Sequence, residues 1–150
     1  MSGFVDLRAL LPRLRGHRVH VFGAAEEPAL RATLSAAGFE VVTLVGTAIT
    51  NESSLFEEMA RAFAFPDYFG HNWAALTDCL RDLRGRDNPR LALLWVGADA
   101  SLAADLQTFL DAVLVLDEVA AELSDDDEFG KAHQLVVCLL GPGAGFPASA

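Results

Sequence analysis

The chain has 150 residues, 52% of them hydrophobic, and a formal net charge of -10 at neutral pH; this suffices for one domain with a single core and has the wrong sign for gripping a nucleic-acid backbone. No apolar run reaches the length of a membrane span, and no basic stretch followed by an apolar one opens the chain, so the expectation is a cytoplasmic protein with no signal peptide and no membrane role. Cys79 and Cys138 read as buried thiols of a reducing compartment rather than a disulfide, and neither has the spacing of a metal site.

In chain order, Leu7 to Leu14 has the pattern of a short helix, and Arg18 to Phe22 that of a strand with Val19 and Val21 on one face. Glu27 to Ala37 is the next helix. Pro28 suits its first turn, Leu30, Leu34 and Ala37 form the apolar stripe, and Gly38 can supply a left-handed cap. Val41 to Val45 is a continuous apolar strand, so this span reads as a right-handed βαβ unit with parallel strands. The loop Gly23 to Glu27 has one glycine where a dinucleotide fingerprint wants three, and two carboxylates where a phosphate would sit, which argues against a nucleotide site. Residues 1–38 are therefore expected to be an added edge strand and helix packed on the same sheet.

Past Gly46, the polar connection Thr47 to Ser53 leads to a helix marked by a capping box of Ser54 and Glu57, with Phe56, Met59, Ala60 and Phe63 at helical spacing. That helix stops before Pro66. In the stretch Phe65 to Leu83, Gly70 permits a positive φ, and Asn72 is a good N-cap for a helix starting near Trp73. At 100° per residue Trp73, Leu76, Leu80 and Leu83 share a stripe with Cys79 at its margin, while His71, Ala74, Asp78 and Asp82 face the other way. A polar loop from Arg84 to Arg90 precedes the apolar strand Leu91 to Val96, which reads as covered on both faces. Leu102, Leu106, Phe109 and Leu110 form the stripe of a helix from Ser101, and a second helix is expected from about Asp111 to Leu123. Asp125 to Glu128 is a charged turn, Leu135 to Leu140 the last strand, and 142–150 have the composition of a flexible tail.

The charge is lopsided: residues 1–98 carry eleven acids and ten bases, whereas residues 99–150 carry ten acids and only Lys131. Such a surface attracts basic proteins and speeds their encounter. For an enzyme, only His71, Asp78 and Cys79 form a grouping. His71 and Asp78 lie seven residues apart, about 10.5 Å at helical rise, too far for a base to touch its orienting carboxylate. His17 and His20 point to opposite faces of a strand, and His133 lies near a loop. No catalytic group, cofactor or small-molecule substrate is expected.

The fifteen residues from Pro66 to Leu80, P-D-Y-F-G-x-N-W-x-A-L-x-D-C-L, resemble the barstar family, intracellular protein inhibitors of secreted bacterial ribonucleases. The likeness covers roughly residues 39 to 141. It implies an α/β fold, a small, mainly parallel sheet packed with helices, here extended by the N-terminal strand and helix. It further implies a basic ribonuclease as partner, a toxin to which the chain confers immunity in a bacterial cell, and a mode of action. In the family, the helix and the loop before it enter the nuclease active site, where a carboxylate takes the place of the substrate phosphate. Pockets of Arg, Lys and His built for a phosphodiester also hold a well-placed carboxylate through charge-assisted hydrogen bonds. The matching carboxylate is Asp78; Tyr68 matches an aromatic loop contact and Glu118 a second acidic contact. Phe69, Gly70 and Asn72 complete the loop. Three positions depart from the family's best-studied member: Ala74 replaces an aspartate, Thr77 a tryptophan and Asp82 a glycine. These departures keep open a second reading, a barstar-fold regulatory or assembly module for a basic partner that is not a nuclease.

Overall fold

Five consecutive residues, Leu91 to Trp95, are buried in β3 (Arg90–Val96), because this strand is covered by chain on both sides and both faces. The computed structural model describes residues 19–67, 69–125 and 132–142; the helix expected over Leu7 to Leu14, Tyr68, most of the charged turn after Asp125, and the tail from 143 lie outside them. Beside β3 run β2 (Glu40–Val45) and β4 (Gln134–Gly141), and β1 (Val19–Gly23) lies outside β4. The sheet order is β1-β4-β3-β2, all parallel, with Leu93 level with both Val42 and Val137.

The two-residue period of the strands divides the core. Leu91, Leu93 and Trp95 join Val42, Leu44, Val137 and Leu139 on one face, under the helices α2 (Glu52–Phe63), α3 (Trp73–Arg81) and α5 (Leu106–Ser124), with the short α4 (Ala98–Ala104) at its end. Ala92 and Leu94 join Cys138 and Leu140 on the other face, covered by Leu30 and Leu34 of α1 (Glu27–Ala36). Val19 and Val21 face the first layer and Phe22 the second, as strand alternation requires. The chain is thus an α/β fold with an N-terminal strand and helix joined to the same sheet. The expected strand-helix-strand unit with parallel strands is present, and the sheet shows where its strands lie. β1 and β2 are parallel but occupy opposite edges, with β4 and β3 between them, because α1 carries the chain across the whole back of the sheet.

Two helix starts also differ from the sequence reading. The cap of α2 is Asn51, whose Oδ1 accepts from the Ser54 N–H at 2.9 Å while Ser54 Oγ accepts from the Asn51 N–H at 3.0 Å. Ser54 is therefore the returning member of the box and not its first residue, since the asparagine three residues before it makes the stronger cap. The break between α4 and α5 falls at Asp105, not near Asp111. Asp105 takes an extended backbone (φ -154°, ψ 90°) and its carboxylate accepts from both the N–H and the hydroxyl of Thr108, at 3.1 and 2.9 Å. Where α4 begins, Gly46 lies so close to β3's end that a Cβ there would sit 2.2 Å from the Gly97 carbonyl oxygen. Buried Ser101 spans this junction, accepting from the Trp95 indole N–H at 3.0 Å and donating to the Gly46 carbonyl at 2.8 Å.

Candidate partner-binding face

The loop between α2 and α3 is built on an aromatic ladder. Ala64 ends α2 in the left-handed region, at φ 54°, and turns Phe65 back so that its N–H still reaches the Ala60 carbonyl at 3.0 Å. Phe65 then stacks against Phe63 at 5.5 Å and meets Phe69 at 5.2 Å, and Phe69 in turn meets Phe56 at 6.3 Å and His71 at 4.9 Å. Phe69 is buried, so it supports the loop from beneath.

The positive φ expected at Gly70 belongs instead to His71, at 48°. Gly70 serves by its missing side chain, since a Cβ would lie 3.2 Å from the Asn72 Nδ2. That amide donates to the Gly70 carbonyl at 3.0 Å, while Asn72 Oδ1 accepts from the Ala75 N–H at 2.8 Å and caps α3. One side chain thus closes the turn and opens the helix, which fixes the direction in which α3 leaves the loop.

On α3 the expected division of faces holds. Leu76, Cys79 and Leu80 are buried, whereas Ala74, Asp78 and Asp82 are exposed. Trp73 is half-buried, packed edge-on against Phe56 at 5.1 Å with its indole N–H donated to Glu52 at 3.1 Å. Thr77 Oγ1 donates to the Trp73 carbonyl at 2.9 Å, so its hydroxyl is spent within its own helix. The Asp78 side chain is 76% exposed, with Arg81 Nη1 at 3.5 Å.

Across from it, α5 contributes the exposed Glu118, which lines an open groove with Trp73, Asp111, Leu114 and Val115. One turn further on, Glu122 receives Arg81 through two parallel bonds, Nε to Oε2 at 2.7 Å and Nη2 to Oε1 at 3.1 Å. This fork holds the Glu122 carboxyl below the usual carboxylate range and raises the Arg81 guanidinium. Arg84 donates to the main-chain carbonyls of Glu122 and Asp125 and ties the end of α3 to the end of α5.

The residues singled out from the sequence therefore divide three ways. Ala74, Asp78 and the C-cap residue Asp82 are exposed along the outer side of α3, Glu118 of α5 lines the groove beside Trp73, and Phe69, Gly70 and Asn72 hold the loop in shape; Tyr68 lies outside the described residues. Arg81 and Glu122 were not singled out. Arg81 stands one helical turn from Asp78 and was readable as its neighbour, but its fork with Glu122 joins residues 41 apart, a pairing that no local periodicity signals. Burial, then the carboxylates of Asp82 and Asp78, push the Cys79 thiol up, away from the reactive thiolate. No group of His, Cys, Asp and Glu that could hold a metal ion occurs among the described residues, and no helix among them is long and apolar enough to cross a membrane.

A family model described as Barstar (barnase inhibitor) matches residues 39–137, about two thirds of the chain. A comparison with curated proteins finds no match.

Proposed function

The chain belongs to the barstar family, and from that premise we propose that it is an intracellular inhibitor of a basic ribonuclease, closing the nuclease active site with carboxylates that stand in for the substrate phosphate. The observation that carries this reading is Asp78: a carboxylate 76% exposed on a helix whose entry angle is fixed by Asn72 and the aromatic ladder beneath it. A charge held on a rigid element needs little ordering when a partner binds, so more of its interaction energy survives as affinity. Glu118 and Asp111, which line the groove beside Trp73, enlarge the negative surface that a basic active site meets. In a cell that makes such a nuclease, this chain would act as protection in the cytoplasm, as immunity to a toxin.

An affinity pull-down from cells and medium of the source organism, with wild type and Asp78→Ala compared by mass spectrometry, tests the reading. Wild type is expected to retain a small basic ribonuclease that Asp78→Ala loses, with a drop in affinity of about thirtyfold or more, as for a central charged anchor. Retention of one non-nuclease protein by both variants would favour the second reading, an assembly module. That reading draws on Ala74 and Thr77, which offer α3's outer face neither a second carboxylate nor a free hydroxyl.

A further inference from the structure

Arg81 is out of place on a face meant for a basic protein. It follows Asp78 by one helical turn, and its side chain is 50% exposed, as is 48% of Glu122's, so a partner seated on Asp78 must cover both. Its Nε and Nη2 are committed to the two oxygens of Glu122, while Nη1 lies 3.5 Å from Asp78. The charge of Glu122 is thereby offset within the chain, since both its oxygens already carry a charge-assisted bond to Arg81. The trio of Asp78, Arg81 and Glu122 presents a net charge of -1 where the two carboxylates alone would present -2, and Arg84 adds a second cation at the same corner, against the carbonyls of Glu122 and Asp125.

We infer that Arg81 is a specificity-determining residue: it selects a ribonuclease whose rim presents a hydrogen-bond acceptor, a carboxylate above all, beside the pocket that takes Asp78, and rejects one that presents a cation there. The inference rests on the inhibitor reading above. Its physical basis is that like charges brought together at a desolvated rim cost affinity, and that such a repulsive element is how one partner is told from another of the same fold.

The test uses barnase, as a basic ribonuclease, and measures Kd and association rate at several salt concentrations for wild type, Arg81→Gln, Asp78→Ala, the double variant and Arg31→Gln. Arg31 pairs with Glu27 on α1, behind the sheet, and its replacement makes the same change in net charge far from the face. Arg81→Gln is expected to bind about tenfold tighter than wild type, with faster association, while Arg31→Gln is unchanged. Addition of Asp78→Ala should abolish that gain. An Arg81→Gln variant no tighter than wild type, including one that like wild type does not bind, overturns the assignment, as does an equal gain from Arg31→Gln. If Arg81→Gln binds tighter and Asp78→Ala changes nothing in either background, the face is not the phosphate mimic and the inhibitor reading itself falls.

Discussion

Asn72 uses both ends of its amide, and each end can be removed separately. Replacing it with alanine takes the acceptor from the Ala75 N–H and the donor from the Gly70 carbonyl, and should cost about 1 kcal/mol, the usual worth of an N-cap. Asn72→Asp keeps the acceptor and places a negative charge at the helix N-terminus, so it should lose much less. Urea titrations of the two variants check this: the midpoint should fall clearly for alanine and little for aspartate, and equal losses would mean that the bond to Gly70 matters as much as the cap. The cap was legible because asparagine before an apolar-periodic run has a local meaning. The sign of φ at the two residues before it was not. Glycine tolerates a positive φ, but here the space beside Gly70 is taken by the Asn72 amide, and the left-handed turn passes to His71, whose ring rests on Phe69 at 4.9 Å. Such a choice depends on what packs above the loop, which sequence order does not state.

At the scale of the element, β2 poses the problem of any outer strand, a row of backbone groups with no neighbour on one side. Here α2 fills the row. Glu58 accepts the Val45 N–H at 2.7 Å, and Arg61, paired with the same carboxylate, donates to the Thr43 carbonyl at 3.1 Å; from the other layer Arg31 donates to Thr43 Oγ1 at 2.9 Å. Glu58 is buried, and its bonds to Arg61 outweigh the cost of that burial and hold its carboxyl below the ordinary value of 4.5. A carboxyl with a depressed folded-state pKa stabilises the fold at pH above its unfolded value, and that stability is lost as pH falls through the folded value. Glu58→Gln should therefore cost about 1.5 to 3 kcal/mol at pH 7, the range for hydrogen bonds to a charged group. Below pH 4.5 the variant should close on wild type. Chemical denaturation at pH 7 and at decreasing pH reads the difference, and a constant gap down to the acid limit would refute this account of Glu58. The sequence reading gave Glu57 a place in a capping box and passed over Glu58, because the role of Glu58 comes from the strand beside it. The break at Asp105 escaped for a related reason: an aspartate in an apolar helical pattern reads as a surface residue until its carboxylate is seen capping Thr108.

For the whole molecule, the apolar periods were enough to find four strands and the layers of helix, since burial on one or both faces is written in the residues themselves. The strand order was not, because β1 and β2 look like neighbours in sequence, and only α1 crossing the back of the sheet separates them. That crossing gives residues 19–38 a job outside the matched family region, which begins at residue 39. β1 pairs with β4 from Val19 to Gly23, and Leu30 and Leu34 of α1 pack over Leu94, Cys138 and Leu140. Deleting residues 1–38 would bare this second face and leave β4 as an open edge, an apolar patch of the kind that drives association. Cys138 reports on it directly. It is 1% exposed and burial pushes its thiol up to about 11, so in the full chain it should react slowly with an aromatic disulfide reagent at neutral pH. In the truncated chain Cys138 should label rapidly, dye binding to apolar surface should rise, and the protein should self-associate. Because Cys79 lies in the core on the opposite face, its slow labelling in the same sample separates loss of the back layer from general unfolding. A truncated chain that stays monomeric with Cys138 protected would show that the strand and helix are dispensable to the sheet they cover.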